Sequence, residues 1–129
     1  LFAAAAEFSV DLPDLRDVAP DDLADALFGR FFAVWEQDTT FVALLRAAMT
    51  SPAAADTMRG VFATQVAPAL AAVAPDHAEQ RAGLLGAFVI GLATTRYVLA
   101  NPAVADLSPD DLIRWARPVV RRLLVDDAP

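Results

Sequence analysis

The residues with any capacity for chemistry are few and poorly partnered. The single histidine, His77, stands between Asp76 and Glu79, where an imidazole among carboxylates could move a proton if a nucleophile faced it. Ser9, Ser51 and Ser108 fall in loop or helix-cap contexts with no base at a useful spacing, so a serine–histidine arrangement is not expected. A solvated imidazole at a helix start is the simpler reading of His77. Asp21, Asp22 and Asp25, and again Asp110 and Asp111, group carboxylates that could share a hard cation. Each group opens a predicted helix with no His or Cys beside it, and the positive end of the helix dipole accounts for it. Cysteine is absent, which removes disulfides and thiolate metal sites. Gly83, Gly86 and Gly91 lie inside a helical pattern and not between a strand and a helix, so no phosphate-cradling loop is expected. On this reading the chain has no catalytic residue, no metal ligand and no cofactor.

The elements that would position any site are helices. Of the 129 residues 57% are hydrophobic, many of them Ala, and no segment alternates long enough to be a strand. Proline at a first helical position, followed by carboxylates, marks starts at Pro20-Asp21-Asp22 and Pro109-Asp110-Asp111. Ser51-Pro52 and Pro75-Asp76 repeat the device more weakly. Helices are expected over 1–8, 21–36, 39–49, 52–73, 76–100 and 109–125, an all-α bundle of about six. Pro68 and Pro118 fall inside two of them and should bend them. Residues Ser9 to Ala19, interrupted by Pro13 and three aspartates, read as a linker or a loop folded over a neighbour. The expected organisation is 1–19 as the end of a linking helix with an acidic loop, then 20–129 as one domain.

Charge and hydropathy exclude two classes of partner. With 10 basic residues, all Arg, against 17 acidic ones, the net charge is -7, and a phosphate backbone is repelled by such a surface. The uncharged run between Arg81 and Arg96 is shorter than the roughly 20 residues that cross a bilayer, and no signal-peptide pattern opens the chain. A cytoplasmic protein with no membrane partner is expected.

The stretch Ala82 to Leu99 has no polar face, so both of its sides need cover. Leu84, Leu85, Phe88, Leu92 and Leu99 are expected toward the core. The small side carries Gly83, Gly86, Ala87, Gly91 and Thr94, with Ile90 among them, and invites a second helix from another copy of the chain. In the last helix Leu112, Trp115, Ala116, Val119, Val120 and Leu123 form an apolar stripe, opposite Arg114, Arg117, Arg121 and Arg122, with Asp110 placed to pair with Arg114. The expected dimer interface is Gly83, Ala87, Ile90, Gly91, Thr94 and Val98, with Trp115, Val119 and Leu123. Helix 21–36 carries more aromatic surface than one core stripe needs, in Phe28, Phe31, Phe32 and Trp35. Together with Phe41, Leu45 and Met49, with Met58 and Phe62, and with Phe88 and Leu92, it forms either a plain core or the wall of an apolar pocket. Gln65, Thr95 and Arg96 are the polar groups that could orient a ligand there.

Three segments resemble the C-terminal regulatory domain of the tetracycline-repressor (TetR) family, in an actinobacterial-type branch. They are Phe41-Val42-Ala43-Leu44-Leu45-Arg46-Ala47-Ala48, the run from Gly91 to Leu99, and Leu107-Ser108-Pro109-Asp110-Asp111-Leu112 leading into Ala116 to Leu124. The resemblance covers about 20–125. It implies an all-α domain whose last two long helices pair with those of a second subunit in a four-helix bundle. It also implies a cavity for a small apolar ligand between the middle helices, and a cytoplasmic repressor that binds DNA through an N-terminal helix-turn-helix. That motif is not in the chain, and Leu1 to Phe8 is read as the tail of the helix leading from it. The alternatives are a structural dimerisation module with a filled core, a soluble carrier of apolar ligands and, last, an enzyme.

Overall fold

The computed structural model describes residues 9–129, so the helix expected over 1–8 lies outside the described residues. Among the described residues the chain is all helix and connecting turns, in six helical segments with no strand. A 3-10 turn, Pro20–Asp22, leads into α1, Leu23–Gln37, and α2 follows over Thr39–Ala48. α3 runs over Pro52–Val61, widens into a π turn over Phe62–Val66 and closes again over Ala67–Ala71. α4 runs over Ala78–Ala93 and ends in a second π turn, Thr94–Val98. The short α5, Pro102–Ala105, precedes α6, Pro109–Leu124.

The starts follow from local chemistry. Ser51, Asn101 and Ser108 each accept a backbone N–H with the side chain, at 3.3, 3.2 and 3.1 Å, directly before a proline whose missing donor costs nothing at that position. Asp38 caps α2 the same way through the Thr40 N–H at 2.8 Å. The unforeseen α5 carries this signal in Asn101-Pro102. α4 starts two residues later than expected because His77 adopts a left-handed backbone, φ 45°, which a helix cannot contain. Asp76, which would have stood in the first turn, instead pairs with the Arg81 guanidinium at 2.9 Å.

Pro68 neither breaks α3 nor ends it. A proline ring clashes with the carbonyl four residues back and offers it no proton. The preceding π turn removes the conflict by widening the backbone, so that the Ala67 N–H reaches the Phe62 carbonyl five residues back. Pro118 also lies within a continuous α6.

α1 is the hub. Leu23, Leu27, Phe28, Phe31, Val34 and Trp35 are all buried on it, and it packs against α6 on one side and α2 on another. Its rings stack on one another, Phe28 meeting Phe31 edge-on at 5.6 Å and Trp35 lying flat against Phe31 at 5.8 Å. α6 presents Leu112, Ala116, Val120 and Leu124 inward, a repeat of four that keeps one narrow stripe against the core. Trp115, expected within that stripe, is 70% exposed, and Val119 and Leu123 are half-buried at its edge.

The arginines of α6 do more than face solvent. Arg117 makes a two-pronged contact with Asp25, at 2.8 and 2.9 Å, and Arg121 pairs with Asp21, which ties the last helix to the first turn of α1 and to the 3-10 turn before it. Asp21 and Asp25 therefore answer cations of the chain as well as a helix dipole. Arg114 pairs with Asp111 three residues back at 3.1 Å, and not with Asp110 as expected. The hydrogen bond and charge of Arg117 hold the Asp25 carboxyl below its ordinary value of 3.8. The unfolded chain then binds the proton more readily than the folded one. Stability from this contact is complete above the unfolded value and is lost as pH falls through the depressed one. Urea unfolding between about pH 5 and 2 should show stability falling with acid, and Asp25→Asn should flatten part of that slope while leaving neutral-pH stability only slightly lower.

Candidate functional site

A partly open cleft of about 890 Å³ lies between α1, α3 and α4. Its size is that of sites that bury a drug-sized molecule. Phe31, Val34 and Trp35 of α1 form one wall, with Phe41 of α2 and Met58 and Phe62 of α3 beside them. The facing wall is built of small side chains, Ala67 and Ala71 from the end of α3 and Ala82, Gly83, Gly86 and Ala87 from α4. Arg59 and Glu79 are the charged residues on the lining. A surface of this kind offers an apolar ligand dispersion contacts and water release, and no arrangement for bond chemistry.

The shape depends on one close approach. A Cβ on Gly86 would stand 2.5 Å from Phe62 Cε1 and 3.0 Å from its Cζ, distances that only a residue without a side chain permits. Sequence periodicity sets Gly86 with the small residues awaiting another helix. Here it meets a ring of its own chain, and the π turn that carries Phe62 is the reason that ring arrives there.

Of the residues expected to contact a ligand, Phe31, Trp35, Phe41, Met58 and Phe62 line the cleft. Phe28 and Leu45 are fully enclosed in the core and do not reach it. Phe32 is buried under the Arg96 guanidinium, 5.3 Å above its ring. Met49 is exposed at the end of α2. Phe88 and Leu92 are half-buried on α4 away from the lining, because the inward side of α4 is Ala82, Leu85, Gly86, Val89 and Ala93. Leu84, expected toward the core, is 58% exposed for the same reason, and Leu99, also expected there, is 69% exposed just past the second π turn.

The polar residues expected to orient a ligand serve the chain itself. Gln65 accepts the Val10 N–H at 2.7 Å. The Thr95 hydroxyl donates to the Gly91 carbonyl at 2.7 Å within its own helix. Arg96 donates to the Val104 and Leu107 carbonyls, at 3.0 and 2.8 Å, and so caps α5. Beside it the Tyr97 hydroxyl donates to Glu36 at 2.5 Å, and burial together with that carboxylate pushes its pKa up strongly.

The interface residues divide. Gly83, Ala87 and Gly91 are exposed along one side of α4, and a Cβ on Gly83 or Gly91 would meet nothing in the chain. Gly83, Ala87 and Ile90 also belong to the cleft lining. Thr94 and Val98 are half-buried in the second π turn.

Some residues of the cleft and its frame carry no periodic signal. Val10 and Leu70 line the cleft from segments 60 residues apart, and Arg81 marks only the edge of an apolar run in the sequence. Arg81 is buried, pairs with Asp76 and donates to the Leu123 and Asp126 carbonyls, at 3.3 and 2.5 Å. It thereby satisfies carbonyls that the end of α6 leaves without helical partners. Arg in the first turn of one helix opposite the last turn of another is a signal only once their pairing is known.

Among the described residues no group of three or more His, Cys, Asp or Glu is placed to hold a metal ion, and no helix is long and apolar enough to cross a membrane. Comparison with curated proteins and with solved structures gives no match. Comparison with family models matches residues 21–124 to the tetracyclin repressor-like, C-terminal domain. Domains of this kind are regulatory and not enzymatic, and typically bind effectors and dimerise within a TetR regulator. The match spans every helix from the 3-10 turn before α1 to the end of α6, and the all-α architecture and the apolar cleft agree with it: the chain belongs to the family of tetracyclin repressor-like C-terminal domains.

Proposed function

We propose that the chain is the effector-sensing and dimerisation part of a cytoplasmic TetR-type repressor of the actinobacterial branch. A small apolar molecule in the cleft would modulate DNA binding carried by a helix-turn-helix outside this chain. The observation that supports the sensing reading is the cleft itself, about 890 Å³ in volume, walled by aromatic and small residues and of a size that takes a drug-sized molecule. Dimerisation is supported by the exposed side of α4, where Gly83, Leu84, Ala87 and Gly91 offer apolar and backbone surface, and by the exposed Trp115 of α6. A ligand that fits one spacing of the two subunits better than another shifts the dimer toward it. The second reading is a dimerisation module whose cleft holds nothing.

The neutral fluorophore phenylnaphthylamine separates the two, since an anionic dye would be repelled by a chain of charge -7. Saturable fluorescence enhancement by the folded protein is expected. Gly86→Ala should weaken it about tenfold, equivalent to ~1.4 kcal/mol, because the new methyl drives the Phe62 ring into the void. The same variant should stay folded with a modestly lower melting temperature, as the gain of about 1 kcal/mol in helix propensity of Ala over Gly offsets part of the cost of displacing the ring. A wild type that gives no saturable signal, with no heat on calorimetric titration of other apolar compounds, would establish the module instead.

A further inference from the structure

We infer that the segment around Val10 is a latched lid on the cleft, with Gln65 and Arg30 as its positioning residues. The inference rests on the cleft being a ligand site. The Val10 side chain is buried and forms part of the cleft lining. Its backbone is gripped from two helices. The Val10 N–H donates to Gln65 Oε1 at 2.7 Å, and Arg30 Nε of α1 donates to the Val10 carbonyl at 2.5 Å. Arg30 also lies 3.7 Å from the Asp11 carboxylate, which in turn accepts the Ser9 hydroxyl at 2.5 Å.

The segment is held to the body by its side chains and by those of its neighbours. Residues 9 to 15 form no helix or strand, so no backbone ladder holds them to the body. Asp11 sits in the left-handed region at φ 53°, and Pro13 has no N–H to contribute. Leu15, almost completely enclosed in the core, anchors the far end. Between that anchor and Val10 the backbone is held by side-chain hydrogen bonds and by the packing of Val10 and Leu12 on the core, a smaller set of contacts than a helix has, and one that opens locally at less cost than the whole fold.

Gln65 makes the latch responsive to the cleft. It lies in the π turn Phe62–Val66, whose Phe62, Ala63 and Val66 also line the void. A molecule pressing on Phe62 or Val66 acts on the same wide turn that carries the Val10 partner. Occupancy and lid closure are then coupled, and the coupling is reciprocal: whatever factor the ligand applies to lid closure, closure applies to ligand affinity.

The test uses the whole chain, phenylnaphthylamine as probe, stopped-flow dissociation and amide exchange at Val10. With probe bound, Val10 exchange should slow about tenfold. Gln65→Ala should speed both Val10 exchange and probe dissociation about tenfold, while Gln65→Glu, which keeps an acceptor for the Val10 N–H, should stay within about threefold of wild type. Arg30→Met, at a partly exposed position, gives an independent reading through the Val10 carbonyl if Gln65→Ala fails to fold, and should likewise speed dissociation. Probe binding with Val10 exchange and dissociation unchanged in these variants overturns the latch and leaves the cleft intact as a ligand site. No saturable binding to the wild type overturns both.

Discussion

Gly91→Arg is expected to turn a dimer into a monomer without harming the protomer. A Cβ at Gly91 meets nothing within the chain, so the long side chain has room in the isolated fold, and replacing Gly by Arg inside a helix adds intrinsic propensity. In the proposed dimer, where this side of α4 packs on a second copy, the same position is intolerant. Small residues let two helix backbones approach closely, and a guanidinium placed between them both separates the surfaces and must leave water. The dissociation constant should rise at least about a hundredfold, or ~2.7 kcal/mol. Sedimentation velocity at about tens of micromolar should show a dimer for the wild type and a monomer for the variant, with thermal unfolding of the variant protomer intact. A wild type that sediments as a monomer, or a variant that remains dimeric, would show that the exposed side of α4 serves something other than self-association.

Phe28→Ala is expected to be the most destabilising single truncation. Phe28 is completely enclosed, and its ring lies 5.6 Å from Phe31, 6.3 Å from Phe32 and 6.1 Å from Trp35. Removing it forfeits the burial of the ring and leaves a hole that the neighbouring aromatics, fixed by their own contacts, fill only in part. The loss should be about 3–5 kcal/mol, a large fraction of the ~5–15 kcal/mol that a domain of this size commands. Urea unfolding should show it as a lower midpoint. Trp115→Ala is the control for side-chain size. That ring is 70% exposed, so its removal should cost the protomer under about 0.5 kcal/mol. If the two truncations cost the same, α1 is not the hub of the core.

Much of the helical layout could be read from near neighbours in the chain. Ser51-Pro52, Asn101-Pro102 and Ser108-Pro109 each define a helix start, because the cap, the proline and the first-turn N–H groups are within three residues of one another. The class of fold follows from composition and period, which also single out the aromatic helix while leaving open whether its rings fill a plain core or wall a pocket. The family resemblance extends the same information, since it too is carried by the order of residues along the chain.

The rotation of α4 and the identity of the cleft lining were decided only in three dimensions. A helix with no polar face has no preferred side, so periodicity alone could not tell that Leu84 and Leu99 would face water while Gly86 received the Phe62 ring. The π turn over Phe62–Val66 arises where Pro68 meets a helix that packing requires to continue. Gln65 and Val10 are 55 residues apart, and Arg81 and Leu123 are 42, so neither pair leaves a trace in local patterning. Backbone propensity and capping act over one helical turn, whereas the facing of helices and the shape of the void between them are set by the simultaneous fit of all their side chains. The amino-acid order alone was therefore enough to locate the long helices, and the packed molecule was needed to show the short α5 and what the helices enclose.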